Sequence, residues 1–246
     1  MESTVPLIQT FANQETIITS EHYPASFEIS SDSFTPEYWQ KNNKVIGQSI
    51  GRNTTYFFQQ GSDKYVLRHY YRGGLPGKIF NDTYVYAGLK RTRMYKEFCL
   101  LEQLQQLDLP APKMIGARIL RDKHLYRGDL IMQQIPDAED LYHLLQHTEL
   151  EKADWHRIGR TLADFHKAGI FHADLNIHNV MMDMRGKVWV IDFDRGRQTQ
   201  PKFSWQHSNM LRLKRSFDKE KAKHPNMFYK EDNWRTLSKA YQKRFL

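Results

Sequence analysis

His172-Ala173-Asp174-Leu175-Asn176-Ile177-His178-Asn179, followed after a strand and a turn by Val190-Ile191-Asp192-Phe193-Asp194-Arg195, is the stretch that decides the fold. Asp174 and Asn179 stand five positions apart, and Asp192 follows behind a second apolar run. The runs Asn179–Asp183 and Lys187–Phe193 flank Met184-Arg185-Gly186, which reads as a turn between antiparallel strands. Doubling back in this way brings Asp192 beside Asn179. A loop carboxylate, an amide oxygen and a second carboxylate therefore converge, although they span only eighteen positions in sequence.

The chain has 246 residues, 40% hydrophobic and 13% aromatic, enough to bury a core as one domain or as two lobes sharing a cleft. A single cysteine, Cys99, excludes an internal disulfide and suits a reducing compartment. No secretory leader is visible, and no run approaches the roughly 18 apolar residues of a spanning helix. The expected location is the cytosol or the inner face of a membrane. Net charge is +8, which favours an anionic partner such as a nucleotide, a nucleic acid or a phosphorylated lipid. From Met210 to Leu246, 11 Lys and Arg face 4 Asp and Glu. That run reads either as a solvated helix face or as an anion-seeking surface.

Residues 1–43 mix short apolar pairs with Ser, Thr, Asn and Pro and read as an extended lead-in. From Val45 three strand-like runs follow, 45–50, 55–60 and 64–70, joined by short linkers that predict antiparallel hairpins. Gly51 in the first linker is positioned to let backbone N–H groups approach phosphate oxygens, or is an ordinary turn glycine. A helix is predicted over 91–107, with Met94, Phe98, Leu101 and Leu104 on its buried side and Glu97 beside them. Strands at 113–120 and 125–135 bring the sheet to five. Asp140 is placed to cap a short helix, and a longer one spans 151–167 with Trp155, Ile158, Leu162 and Phe165 as core.

Phosphoryl transfer needs an anchored acceptor hydroxyl, a base for its proton and metal ions that neutralise the phosphates. Asp174 fits the base, and Asn179 and Asp192 offer the hard oxygen ligands that Mg²⁺ takes. The spacing resembles the protein-kinase patterns His-Arg-Asp-Leu-x-x-x-Asn and Asp-Phe-Gly. In that comparison Arg68 takes the place of the third-strand lysine that pairs the nucleotide phosphates with a helix glutamate, here Glu97. Lys64 is the alternative to Arg68, and a salt-bridged surface arginine or an exposed helix glutamate is the plainer reading of the two residues. His172 reads as a scaffold that orients the loop, and His178 has no second ligand at zinc spacing. The expected fold is α+β and protein-kinase-like with two lobes. An N-lobe (44–135) of five antiparallel strands and one long helix precedes a mainly helical C-lobe (136–246) with basic C-terminal helices. Residues 130–136 stand at the hinge.

The chain also resembles the 3-deoxy-D-manno-octulosonic acid (Kdo) kinases of the lipopolysaccharide kinase family of Gram-negative bacteria. The text that carries this is Gly51-Arg-Asn-Thr-Thr-Tyr-Phe57, Val66-Leu-Arg-His-Tyr-Tyr-Arg-Gly-Gly74, Thr92-Arg93-x-x-x-Glu97 and Leu109-Pro-Ala-Pro112. It continues with His172-Ala-Asp-Leu-Asn176, Ile191-Asp-Phe-Asp-Arg-Gly196 and Leu211-Arg-Leu-Lys-Arg-Ser-Phe217. The resemblance implies ATP and Mg²⁺, with transfer to the Kdo 4-hydroxyl of a Kdo-bearing lipid A precursor by a peripheral protein at the cytoplasmic face of the inner membrane. By position, Asp174 is then the base, Asn179 and Asp192 the metal ligands, and Gly51, Arg68 and Glu97 the nucleotide-binding residues. No nucleic acid partner is implied. Arg212, Lys214, Arg215, Lys219, Lys221 and Lys223 are the candidates to meet an anionic bilayer.

Asp194 stands where protein kinases have glycine and no Ala-Pro-Glu follows, so a protein acceptor fits poorly, while Asn53 departs from the glycine usual in the loop near Gly51. Kinases of another alcohol, whether a core heptose, a small molecule or a protein, remain alternatives. So does a non-catalytic module that binds anionic lipid or nucleic acid.

Overall fold

The computed structural model of the chain describes residues 6–21, 23, 24, 27–49, 55–71 and 82–245. Gly51 with its turn, and the basic connection around 72–78, lie outside the described residues. Two compact units emerge, one of Met1–Glu102 with Lys113–Gln134, the other of Gln103–Pro112 with Ile135–Leu246.

In chain order the first unit holds β1 (Leu7–Thr10), β2 (Glu15–Thr19), α1 (Pro36–Lys41), β3 (Val45–Ser49), β4 (Thr55–Gln60), β5 (Asp63–His69), β6 (Tyr84–Val85), most of α2 (Arg93–Gln106), β7 (Met114–Asp122) and β8 (Leu125–Gln133). The described strands form one antiparallel sheet in the order β1-β2-β7-β8-β5-β4-β3, with β6 also on β8. The five predicted strands are thus its β3-β4-β5-β8-β7 portion. Alternation sets the faces of β5, where Tyr65 and Leu67 are buried while Lys64 is exposed.

The segment read as a lead-in does more than precede this sheet. β2 extends it along β7, and Phe27, Phe34 and Trp39 join Phe58, Tyr65, Leu67, Ile115 and Ile131 in one buried cluster. Trp39 stacks on Phe58 with ring centroids 3.9 Å apart, and its indole N–H donates to the Ser33 carbonyl at 2.7 Å. A buried ion network fixes the same segment. The Arg118 guanidinium meets Asp129 through Nε at 2.9 Å and Nη2 at 2.8 Å, and also donates to the carbonyls of Ser31 and Phe34. His69 bonds the other Asp129 oxygen at 2.7 Å. Burial alone would lower the His69 pKa, but Asp129 and Asp82 outweigh it and hold that pKa above its ordinary value. Irregularly spaced aromatics in a polar stretch show no periodicity, which is why the sequence reads as loose.

The second unit contains β9 (Ala138–Asp140), α3 (Leu141–His147), α4 (Lys152–Lys167), β10 (Ile170–Phe171), β11 (Val180–Asp183), β12 (Val188–Val190), β13 (Arg197–Gln198), α5 (Phe203–Lys223) and α6 (Glu231–Lys243). Asp140 caps α3 by accepting from Tyr142 N and His143 N. α4 starts with a reciprocal cap between Glu151 and Asp154 and buries Trp155, Ile158, Leu162 and Phe165. α4 and α6 touch at Gly159, where a Cβ would lie 2.3 Å from the Leu237 carbonyl oxygen, so only glycine allows the approach.

Replacing Trp39 by alanine is expected to cost about 3–5 kcal/mol, the usual loss for a large buried aromatic. Urea denaturation measures it. A loss near zero would mean that residues 27–39 are not part of the core.

Candidate active site

The decisive stretch is closed at both ends. β10 pairs with β13 through Ile170↔Gln198 and Phe171↔Arg197, and the Arg197 guanidinium lies 4.2 Å from the Phe171 ring centre. Gly169 opens the excursion in a left-handed conformation, φ +76°, with its carbonyl accepting from Thr199 N.

Within that closure His172 is buried and braces the loop from inside. Its Nδ1 accepts from the Asp174 backbone N–H at 3.1 Å, so the ring proton is on Nε2, which donates to the Ile191 carbonyl at 2.9 Å. Burial holds the His172 pKa below its ordinary value and keeps the ring neutral. The Asn209 carboxamide of α5 takes both the N–H and the carbonyl of the His172 backbone. Asn176 bonds the Asp174 carbonyl and carboxylate and accepts from His178 N.

Asn179 is nearly buried, at 8% exposure, and its Nδ2 donates to the Asp174 carbonyl at 2.9 Å. The amino group is thereby committed to the loop backbone. β11 and β12 pair through Val180↔Val190, and Ile191 N donates to the Asn179 carbonyl at 3.0 Å, which draws Asp192 back toward Asn179. The turn between them is held by Asp183, whose carboxylate accepts from Arg185 N, Lys187 N and the Trp189 indole. Asp192 has φ +60°, a left-handed conformation uncommon outside glycine. Phe193 follows it into the core, 5.0 Å from His172 and 5.7 Å from Phe165 by ring centres. Such local strain persists where the surroundings over-determine it, and here they do.

Asp174 itself is outward, its side chain 64% exposed. One carboxylate and one amide oxygen are a donor set that fits Mg²⁺, which takes few protein oxygens and fills the rest with water and phosphate. His178 is engaged elsewhere, 3.7 Å from Asp140 and packed on Tyr142.

In the first unit the structure brings Arg68 and Glu97 together. Arg68 Nη2 lies 2.8 Å from Glu97 Oε2. Glu97 is buried on α2, while Lys64, four residues earlier on β5, is exposed. The Tyr70 hydroxyl joins both partners, accepting from Arg68 at 2.9 Å and donating to Glu97. Arg68 also lies over the Tyr70 ring at 4.7 Å. The sequence reading missed Tyr70, as well as Asn209 and Ser216 of α5. Tyr70 shares the strand face of Arg68 at i+2, a signal that was present. The α5 residues are visible only as polar interruptions on an otherwise apolar helix face.

The sheet unit thus holds a buried Arg–Glu pair, and the helical unit a braced loop that carries Asp174 and Asn179. Residues 36–241 match the model of the lipopolysaccharide kinase (Kdo/WaaP) family. A 3-deoxy-D-manno-octulosonic acid kinase of Vibrio cholerae serotype O1 is 43% identical over 196 residues, 80% of this chain and 83% of that protein. Another from Haemophilus influenzae strain 86-028NP is 42% identical over 229 residues, 89% and 94% of the two. Of solved structures, the Cydia pomonella granulovirus kinase PK-1 aligns with TM-score 0.44 at 18% identity, over 65% of this chain and 55% of that one. The chain belongs to the lipopolysaccharide kinase (Kdo/WaaP) family, and it is a kinase.

His172→Gln keeps much of the side-chain bulk but not a ring that spans both partners, and is expected to lose about 1–3 kcal/mol at pH 7.5. The folded pKa of His172 is depressed, so the unfolded chain takes up its proton first as pH falls below about 6.5. The stability His172 contributes is therefore present above that pH and is lost as pH falls through the folded value. Urea midpoints of the two proteins should be closer together at pH 5.5 than at pH 7.5, and an unchanged gap would contradict a buried neutral ring.

Proposed function

We propose that the chain transfers the γ-phosphoryl group of ATP to the 4-hydroxyl of Kdo on a lipid A precursor, a step of lipopolysaccharide core biosynthesis. The observation that carries the reading is the exposed Asp174 carboxylate on a loop braced by His172, in a chain similar over most of its length to Kdo kinases. Asp174 accepts the proton of the acceptor hydroxyl as its oxygen bonds to the γ-phosphorus and the bond to the β-phosphate oxygen breaks, releasing ADP. Asn179 and Asp192 hold Mg²⁺, which when bound neutralises charge on the phosphates. Arg68, set by Glu97 and Tyr70, orients the α- and β-phosphates.

The test is transfer of label from ATP to the Kdo-lipid A precursor in the presence of Mg²⁺. Asp174→Ala should lower the rate at least about a hundredfold, the range for a lost general base. Absence of transfer by the unaltered protein sinks the acceptor assignment, and transfer undiminished in the variant sinks the role of Asp174.

The place of action we infer is the cytoplasmic face of the inner membrane, with the protein attached peripherally. No helix among the described residues is long and apolar enough to cross a membrane. Supporting a peripheral contact, Leu211, Arg215 and Lys219 fall at four-residue steps on α5 and are all exposed. Lys214 is instead engaged with Asp218 and Glu231, Lys223 with Glu220, and Lys221 with the carbonyls of Pro225 and Met227. This narrows the six basic candidates to those whose charge is available. Apolar side chains beside cations suit an anionic bilayer, each cation contributing about 1 kcal/mol near its surface. Flotation with anionic vesicles should recover the protein, while Leu211→Ser with Arg215→Ser and Lys219→Ser should weaken recovery. Equal recovery on neutral vesicles would count against this face.

A further inference from the structure

The catalytic loop contains no permanently charged cation between His172 and Asn179, so any fixed positive charge beside Asp174 must come from elsewhere. It comes from α5. Arg212 Nη1 lies 3.5 Å from Asp174 Oδ1, the one polar contact of that guanidinium among the described residues. At that length, with side chains 48% and 64% exposed, the pair adds little to stability.

The helix that carries Arg212 is nonetheless fixed to the loop on both sides of it. Three residues earlier Asn209 holds the His172 backbone through two hydrogen bonds. Four residues later the Ser216 hydroxyl accepts from Ile177 N at 2.9 Å, and Leu213 between them is fully buried. Positions 209, 212, 213 and 216 share one helix face, so Arg212 is held beside Asp174 with most of its fork unused.

From this geometry we propose that Arg212 binds the carboxylate of the acceptor sugar, fixing the hydroxyl that Asp174 deprotonates. The inference rests on the acceptor proposed above. Kdo is an acid, ionised at neutral pH, and its carboxylate and 4-hydroxyl belong to one sugar. A planar guanidinium matches a carboxylate through two parallel N–H···O bonds, which lysine cannot reproduce. Arg212 and Asp174 therefore present a cation and an acceptor side by side to an anion and a donor of the same ring. Arg212 is accordingly set apart from the bilayer-facing residues of α5.

The experiment compares the Kdo-lipid A precursor with the same lipid whose Kdo carboxyl is a methyl ester, using the unaltered protein, Arg212→Ala and Arg212→Lys. The unaltered protein should prefer the acid in kcat/KM by at least about tenfold, the low end for a lost charge-assisted hydrogen bond. Arg212→Ala should raise KM for the acid by a similar factor, treat acid and ester alike, and leave KM for ATP unchanged. Arg212→Lys should recover part of the preference. Full preference for the acid in Arg212→Ala overturns the inference, and so does an equal loss on both acceptors with a raised KM for ATP, which would place Arg212 on the nucleotide. If the unaltered protein phosphorylates neither lipid, the proposed function fails and this inference with it. Transfer with the preference intact in Arg212→Ala removes the inference alone.

Discussion

One neutral imidazole joins the loop of Asp174 to the strand end before Asp192. His172 accepts from the backbone of Asp174 on one side and donates to the carbonyl of Ile191 on the other. Those partners are Asp174 itself and Ile191, the neighbour of Asp192. A ring can do both only with a single proton on Nε2, because a second proton would turn the acceptor for Asp174 N–H into a donor. Burial behind Phe193, which itself stacks on Phe165, keeps that proton off. The apolar core of the second unit therefore controls the protonation state of its polar brace. The brace in turn sets the conformation of a loop whose Asp174 carboxylate is left outside in water.

The same logic explains why α5 is polar where a core helix is ordinarily apolar. Asn209 and Ser216 satisfy backbone groups of an irregular loop that has no ladder partner of its own. Without them, buried N–H groups of His172 and Ile177 would go unpaired at a cost of roughly 1–3 kcal/mol each. Helix α5 is thus part of the Asp174 loop's hydrogen bonding rather than an appendage that follows it, and Arg212 inherits a fixed position from that dependence.

The features legible in the sequence were those encoded locally. Asn179 and Asp192 flank a strand–turn–strand whose pairing follows from short apolar runs around Met184-Arg185-Gly186, and the paired strands Val180–Asp183 and Val188–Val190 realise it, with Asp174 on the loop that leads in. The helix carrying Glu97 could be drawn from the spacing of Met94, Phe98, Leu101 and Leu104, all of which are buried. The features that could not be read arise from partners distant in sequence. Trp39 packs on Phe58 and Arg118 reaches Ser31 and Phe34, contacts that leave no period in residues 27–39. The left-handed backbone of Asp192 is likewise set by what surrounds it, since an aspartate in an apolar run carries no mark of its φ.

Charge shows the difference between composition and surface most clearly. The last 37 residues carry 11 of the chain's 36 Lys and Arg, which by count alone reads as an anion-seeking tail. Folding diverts several of them. Lys214 joins α5 to α6 through Glu231, Lys221 closes the connection after α5 on two carbonyls, and Arg244 ties the end of α6 to Asp164 of α4. These cations hold the C-terminal helices in register, and a structural ion pair presents less field to an approaching anion than a free charge does. Among the residues α5 leaves exposed are the apolar Leu211 and the cationic Arg215 and Lys219, with Arg212 turned instead to Asp174. The net excess of seven charges is thus divided by the fold between structure, surface and the loop that carries Asp174.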